Sequence, residues 1–376
     1  MVSRRVRRSL IAVLVLVLLA AAGAGVVIVQ NTYDLREERV TIPGGPHPLD
    51  GVLATPASGR GPFGLVVFVH GDGPVDATHD GLYRPMWEAF ARAGYASLSW
   101  NKPGVGGSAG NWLDQGMEER AQEVQGAIAW ARSRRDLDAG RVGLWGASQA
   151  GWVLPKVTAR VPDVGFVIAV SPAINWLRQG RYNLLAEMRA DGATAAEIRS
   201  AVERSDRTRR LLRAKASFEQ YRQAMGGETD GLTADRWRFI LRNHTADATA
   251  DLRHPATGRI PTLLVLAGHD LNVDVAETEA VYRDTLSALR VRRYPDADHS
   301  LVRRSLADSD VRLTLAAILA PRSLAPAGLF DDMVAFLRDP GKAARRWAAP
   351  GVPGRRPSTG DEEPSVADQG GSAFRA

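Results

Sequence analysis

The sequence predicts an α/β protein: a doubly wound, mostly parallel sheet with a helical insertion and an apolar helix at its N-terminus. Three observations carry this. Strand and helix patterns alternate from Leu65 to Arg338, as they do where helical crossovers return each strand in the same direction. The run Leu65-Val66-Val67-Phe68-Val69 contains no polar residue, which marks a strand covered on both faces. A single stretch, 173–258, shows helical spacing without a clear strand.

The chain divides into four parts in order. Residues 1–35 form a membrane anchor or signal segment with its linker. Four arginines (Arg4, Arg5, Arg7 and Arg8) precede 10–29, 20 residues without a charge, enough to cross a bilayer as a helix. Arginines stay on the cytoplasmic side, so the remainder is expected outside the cytoplasm. The rival is a cleaved signal peptide and a secreted protein, since Ala20-Ala21-Ala22 and Ala22-Gly23-Ala24 offer small-residue cleavage sites. Continuation of the apolar run through Val26-Val27-Ile28-Val29 favours the anchor. The segment has no polar face, which argues against a buried core helix.

Residues 36–340 form the main domain. Residues 30–36 read as a linker, and 39–42 and 49–53 as short strands. After the apolar strand 65–69 come a helix over 83–92, stopped by Gly94, and a strand over 95–100. A helix over 117–132 turns Ala121, Val124, Ala127 and Ile128 inward. A strand over 141–145 is followed by a helix from Gln149. Strands over 164–170 and 261–267, a helix over 275–288, a strand over 289–294 and a helix over 330–338 complete the alternation. The insertion, 173–258, reads as a lid of three to five helices, with Ile198, Val202, Leu212, Phe218, Tyr221, Met225, Trp237, Ile240 and Leu241 near helical spacing. It carries 15 basic and 11 acidic residues. A solvated face explains that excess more simply than an anionic ligand does. Residues 341–376, rich in Pro, Gly, Ala and Ser, are expected to be a disordered tail.

Composition removes several classes of function. The 376 residues are 45% hydrophobic and 24% charged, with no cysteine. This excludes cysteine nucleophiles, Cys-based zinc sites, iron–sulfur clusters and a disulfide scaffold. The net charge is +6, of which residues 1–8 supply +4 and residues 340–376 supply +2, leaving 9–339 neutral. No nucleic-acid partner is expected. No His/Asp/Glu cluster has metal-ligand spacing, and no cofactor is implied. Gly104-Val105-Gly106-Gly107-Ser108-Ala109-Gly110 lacks the Gly-Lys-Ser/Thr ending of a phosphate loop and reads as a tight strand-to-helix loop.

The chemistry concentrates in three places. In Gly146-Ala147-Ser148-Gln149-Ala150-Gly151 a strand runs into a helix with serine at the junction. A sharp turn there lifts the hydroxyl clear of the sheet and demands small neighbours, the logic of G-x-S-x-G. Ala150 departs from that pattern, and Ser148 as a plain N-cap is the bland alternative. A serine needs a base and an orienting acid. Asp270 and His299 each follow a predicted strand, where open parallel sheets hold their sites. Asp274 competes for the acid role. Finally, His70-Gly71-Asp72-Gly73-Pro74 follows the apolar strand. Its glycines permit close backbone approach, so the backbone N–H groups of Asp72 and Gln149 are candidate oxyanion donors. His70, Gly71 and Gly73 shape that loop, and the alternative is a Gly-Pro turn.

Taken in order, these motifs resemble the α/β-hydrolase superfamily. They are His70-Gly71-Asp72-Gly73-Pro74, Asn101-Lys102-Pro103-Gly104-Val105-Gly106-Gly107-Ser108, the Ser148 motif, and Asp270 with His299. The chain order Ser148, Asp270, His299 is that of the superfamily's triad. Asp298-His299-Ser300 resembles the histidine loop of its dienelactone-hydrolase-like and prolyl-oligopeptidase-like members. The resemblance covers 36–340 apart from the insertion. It implies a serine hydrolase working through an acyl-enzyme on a small-molecule acyl substrate, with a carboxylic ester as the simplest case. The alternatives it leaves are a peptidase, an acyltransferase and a non-catalytic binding protein of the same fold.

Overall fold

In the computed structural model the described residues are 4–43, 45–229 and 231–341. All but the first residue of the expected tail lie outside them. Eight strands form one sheet in the order β1-β2-β4-β3-β5-β6-β7-β8. They are β1 (Leu35–Ile42), β2 (Leu49–Pro56), β3 (Phe63–Val69), β4 (Tyr95–Trp100), β5 (Leu137–Ala147), β6 (Phe166–Val170), β7 (Thr262–His269) and β8 (Leu289–Asp298). β2 is antiparallel to both β1 and β4, and every pairing from β4 through β3 to β8 is parallel.

Helices cover both faces, which is why the middle strands are continuously apolar. They run α1 (Arg4–Asn31), α2 (Arg84–Arg92), α3 (Met117–Arg132) and α4 (Leu154–Arg160). Next come α5 (Trp176–Ala190), α6 (Ala195–Arg213), α7 (Phe218–Ala224), α8 (Ala234–Asn243) and α9 (Thr249–Leu252). Then follow α10 (Val275–Thr285), α11 (Arg304–Ala307), α12 (Asp310–Leu319) and α13 (Leu329–Arg338). Trp87 and Phe90 of α2 and Phe336 of α13 pack with Phe68 and Phe166 on one face. Ile128 of α3, Val157 of α4 and Tyr282 of α10 pack with Leu144 and Leu264 on the other. Burying Leu65, Val67 and Phe68 completely contributes about 2 kcal/mol each.

The chain leaves β3 for β4 on one side and returns to β5 on the other. The carboxyl ends of β3 and β5 therefore border the crevice where strand order reverses, the general ligand position in such sheets. Helices α5–α9 lie between β6 and β7, within the expected insertion. They carry a small core of their own around Trp237, Tyr221, Leu212 and Met225.

Several boundaries differ from expectation for identifiable reasons. The linker read over 30–36 is mostly absent, because α1 continues to Asn31 and β1 begins at Leu35. No regular helix starts at Gln149: a 3₁₀ turn, Ser148–Trp152, comes first, and α4 starts beside Pro155, which favours a helix's first turn. β8 passes through Pro295 to Asp298 because it is an edge strand, where a missing N–H is tolerated. β5 starts at Leu137, four residues before the expected start at Arg141, and its pairing with β3 is irregular between Phe63 and Leu65. α11 and α12 had no counterpart in the sequence reading.

α1 contains a span, Val13–Asn31, long and apolar enough to cross a membrane, and it is not buried against the rest of the chain.

Candidate active site

Ser148 follows the last residue of β5 with φ +54°. A non-glycine residue there is strained, and such strain concentrates at functional turns. The small neighbours are enforced by contact. A Cβ on Gly146 would lie 2.7 Å from Ala150 Cβ, and one on Gly151 would lie 2.4 Å from the Ala173 carbonyl oxygen. Ala150 is fully buried over Gly146, so its methyl is accommodated. Gly146 and Gly151 both lack room for a side chain, the second standing one residue later than the motif's last glycine.

Asp270 and His299 meet. His299 Nδ1 lies 2.9 and 2.8 Å from the two Asp270 carboxylate oxygens, whose side chain is wholly buried. Asp270 Oδ1 also accepts the backbone N–H groups of Asn272 and Val273 at 2.9 and 2.8 Å. With Nδ1–H donated to Asp270, the neutral imidazole keeps a free lone pair on Nε2. Asp274 stands elsewhere, capping α10 by accepting from Ala276 and Glu277 N–H at 3.0 and 3.1 Å. The turn carrying His299 is braced by Asp298, which accepts from Ser300 and Val302 N–H. Burial holds the Asp298 carboxyl above its ordinary pKa. Among the described residues no hydrogen bond joins Ser148 to His299. Such bonds are often long before substrate binds.

The 70–74 loop lies against the nucleophile turn. A Cβ on Gly71 would sit 3.5 Å from Ser148 Cβ, and Gly73 has φ +91°. His70 is buried, with Nε2–H donating to the Trp100 carbonyl at 2.6 Å and Nδ1 accepting the Tyr83 hydroxyl at 3.1 Å. Burial, then the Lys102 charge, lowers its pKa to about 3, so it is neutral and fixed. Among the described residues, the backbone N–H groups of Asp72 and Gln149 donate to no protein acceptor.

Three cations missed by the sequence reading hold this loop. Lys102 Nζ, almost fully buried, donates to the carbonyls of Gly71 and Gly73 at 2.6 and 2.8 Å. Burial, then the Arg120 charge, lowers its pKa well below the usual lysine value. Arg120 donates to the His70 carbonyl and to Gln149 Oε1. Arg236, from helix α8 of the insertion, donates to both carboxylate oxygens of Asp72. Gln149 Nε2 donates to the same Asp72 at 3.0 Å. Burial would raise the Asp72 pKa, but the Arg236 bond and charge bring it below the usual range. A visible signal for Arg120 was its place among the inward positions Met117, Ala121 and Val124 of α3. Arg236 had none, lying 164 residues from its partner.

The inserted helices also reach the 270–272 loop, where the Tyr182 hydroxyl donates to the Asp270 carbonyl at 2.8 Å and Asn183 donates to that of Leu271. Much of their positive charge is spent in ion pairs, among them Arg178 with Glu277 and Arg181 with Asp206.

A wound sheet with a strained serine at its switch point, and an Asp–His pair beyond β7 and β8, defines the α/β-hydrolase class. Within it, the chain belongs to the X-Pro dipeptidyl-peptidase (S15) family, whose model matches residues 28–289. The protein is thus a hydrolase of the serine-hydrolase fold. No curated protein matches the sequence. Among solved structures it is similar to DcsB in complex with a substrate analogue, at 14% identity and TM-score 0.53, over 81% of this chain and 99% of that one. It is also similar to the Pyrococcus furiosus esterase Pf2001, at 14% identity and TM-score 0.49, over 84% and 92%. The acylaminoacyl peptidase of Pyrococcus horikoshii matches at 13% identity and TM-score 0.49, over 82% of this chain and 42% of that one.

Proposed function

We propose that the protein is a membrane-anchored serine hydrolase that cleaves a carboxylic ester through Ser148, His299 and Asp270. The observation that carries this reading is the strained Ser148 on the same sheet edge as the buried Asp270–His299 pair. Ser148 Oγ attacks the acyl carbonyl while its proton passes to His299 Nε2. Asp270 orients the ring and stabilises the imidazolium. The backbone N–H groups of Asp72 and Gln149 receive the negative charge that develops on the carbonyl oxygen. Collapse expels the alcohol, which takes the proton from His299 and leaves an acyl-enzyme. Water, deprotonated by His299, then releases the acid.

Family membership favours peptide cleavage as the second reading. Binding a peptide's free amine calls for an unengaged carboxylate, and Asp72 in the loop is already held by Arg236 and Gln149. That favours the ester. The arginines before the span favour a catalytic domain outside the cytoplasm.

A fluorophosphonate probe on the folded full chain tests the chemistry. Wild type is expected to be labelled at Ser148 and Ser148→Ala to stay unlabelled. An unlabelled wild type defeats the enzyme reading. Turnover of p-nitrophenyl esters beside X-Pro anilides then separates ester from peptide cleavage.

A further inference from the structure

A second apolar surface lies beside the anchor. α12 exposes Val311, Leu315, Ile318 and Leu319, with 68%, 52%, 60% and 44% of their surface open. Their spacing puts all four on one arc of the helix, flanked by Arg312 and Thr314, while Leu313, Ala316 and Ala317 turn inward and are half-buried. An open stripe of this kind marks an interaction surface.

The stripe is tied to the end of the span. Asn31 Nδ2 donates to the Ile318 carbonyl at 3.1 Å, and Asn31 is two residues beyond Val29, the last aliphatic residue of α1. The joint is braced. Arg322 donates to the Thr32 carbonyl at 2.7 Å, pairs with Glu88 of α2, and lies 4.6 Å from the Tyr33 ring centroid. Glu88 also accepts the Asp34 N–H at 3.0 Å. A cleft of about 500 Å³ between the end of α1, α12 and the loop before α2 is lined by Ala317 and by exposed Leu82. Span and stripe therefore keep a fixed relation.

We infer that α12 is an interfacial membrane helix whose 311/315/318/319 face lies in the headgroup–acyl boundary of the bilayer that α1 crosses. This rests on the anchor reading of α1. The occupant is a lipid surface because the open stripe continues directly from the emerging span, while the opposite face of α12 packs on the protein, and an apolar helix face at that level is buried in the headgroup–acyl boundary. α12 follows the His299 turn, so its docking fixes how the catalytic edge faces the membrane.

The chain's lack of cysteine makes the test direct. Single variants Val311→Cys, Leu315→Cys and Ile318→Cys are spin-labelled in the full chain, with Leu16→Cys in the span and Glu219→Cys on the lid as references. They are reconstituted at low density in phosphatidylcholine–phosphatidylglycerol vesicles. Collision with oxygen is compared with collision with a water-soluble nickel chelate. Labels at 315 and 318 are expected to favour oxygen severalfold more than the label at 219, approaching that at 16. If 16 is lipid-immersed while 311, 315 and 318 match 219, the inference is overturned. Spin–spin broadening at 318 without oxygen preference overturns it in favour of a second copy. A water-exposed label at 16 instead defeats the anchor reading, and this inference with it.

Discussion

Two carboxylates at the carboxyl edge of the sheet keep opposite company. Asp270 is wholly buried, takes two backbone N–H groups, and gives its remaining capacity to His299, a side chain whose charge can change. Asp72 is two-fifths open and is matched to Arg236, whose charge cannot change in the working pH range. The first pair sets a buried carboxylate against an imidazole, the arrangement that the proposed general base would use. The second is a standing ion pair that ties α8 to the 70–74 loop. The two histidines divide the same way: His299 has one ring nitrogen committed, whereas His70 has both committed.

The largest effect tests the first half of that contrast. Asp270→Asn keeps the shape but takes away the charge that, in the proposed mechanism, stabilises the imidazolium, and is expected to lower kcat on a p-nitrophenyl ester on the order of 10⁴-fold. Asp72→Asn and Asp274→Asn should each cost less than about tenfold, because neither charge faces His299. Equal losses at Asp72 and Asp270 would break the distinction between movable and fixed charge.

Stability shows the next effect. Lys102→Met removes the donor to two half-buried carbonyls, and each orphaned carbonyl costs at most about 1–3 kcal/mol, less where water reaches it. The denaturation midpoint of the detergent-solubilised chain should fall accordingly. A variant as stable as wild type would show that water replaces the ammonium and that the loop does not depend on it.

How much of this was visible in the sequence follows from the range of each interaction. The parallel sheet was legible because burial on both faces leaves a local mark, as at Leu65–Val69. The candidates Ser148 and Asp270 could be placed because each follows a strand with a visible apolar run, and His299 because its strand falls in turn in the β–α alternation. Asp270 could not be separated from Asp274 by pattern, since both are turn aspartates; only the hydrogen bonds show that the first meets His299 and the second caps a helix. Lys102 and Arg236 were hidden because their partners are backbone carbonyls or a residue far along the chain, whereas Arg120 left a mark in its inward place on α3. α12 escaped because its apolar face points outward, contrary to the inward stripe that marks a helix of a soluble core.

The fixed histidine offers a smaller, signed test. His70 has a folded pKa of about 3 against an ordinary value of 6.5. Between those values the unfolded chain binds a proton that the native fold refuses, so stability rises with pH. This contribution is complete above pH 6.5 and is lost as pH falls through the window, at up to about 1.4 kcal/mol per unit. His70→Gln should flatten the dependence of the unfolding free energy on pH between 6 and 4. An unchanged slope would mean that His70 can be protonated in the fold and is not fixed by Trp100 and Tyr83.

The smallest effect concerns the clamp between lid and loop. Arg236 and Asp72 are both partly exposed, and a pair in that setting is worth about 1 kcal/mol or less. Arg236→Gln retains a donor but loses the charge and the two-pronged grip. If the clamp only positions the 70–74 loop, kcat should fall a fewfold with KM nearly unchanged, because the oxyanion donor is needed most in the transition state. If Arg236 leaves Asp72 to meet an anionic substrate, KM should rise for substrates carrying a carboxylate and stay constant for neutral ones. Comparing neutral and acidic esters of the same acyl length on wild type and variant separates the two. A KM effect confined to the acidic ester would move Arg236 from the fixed group of charges to the responsive one.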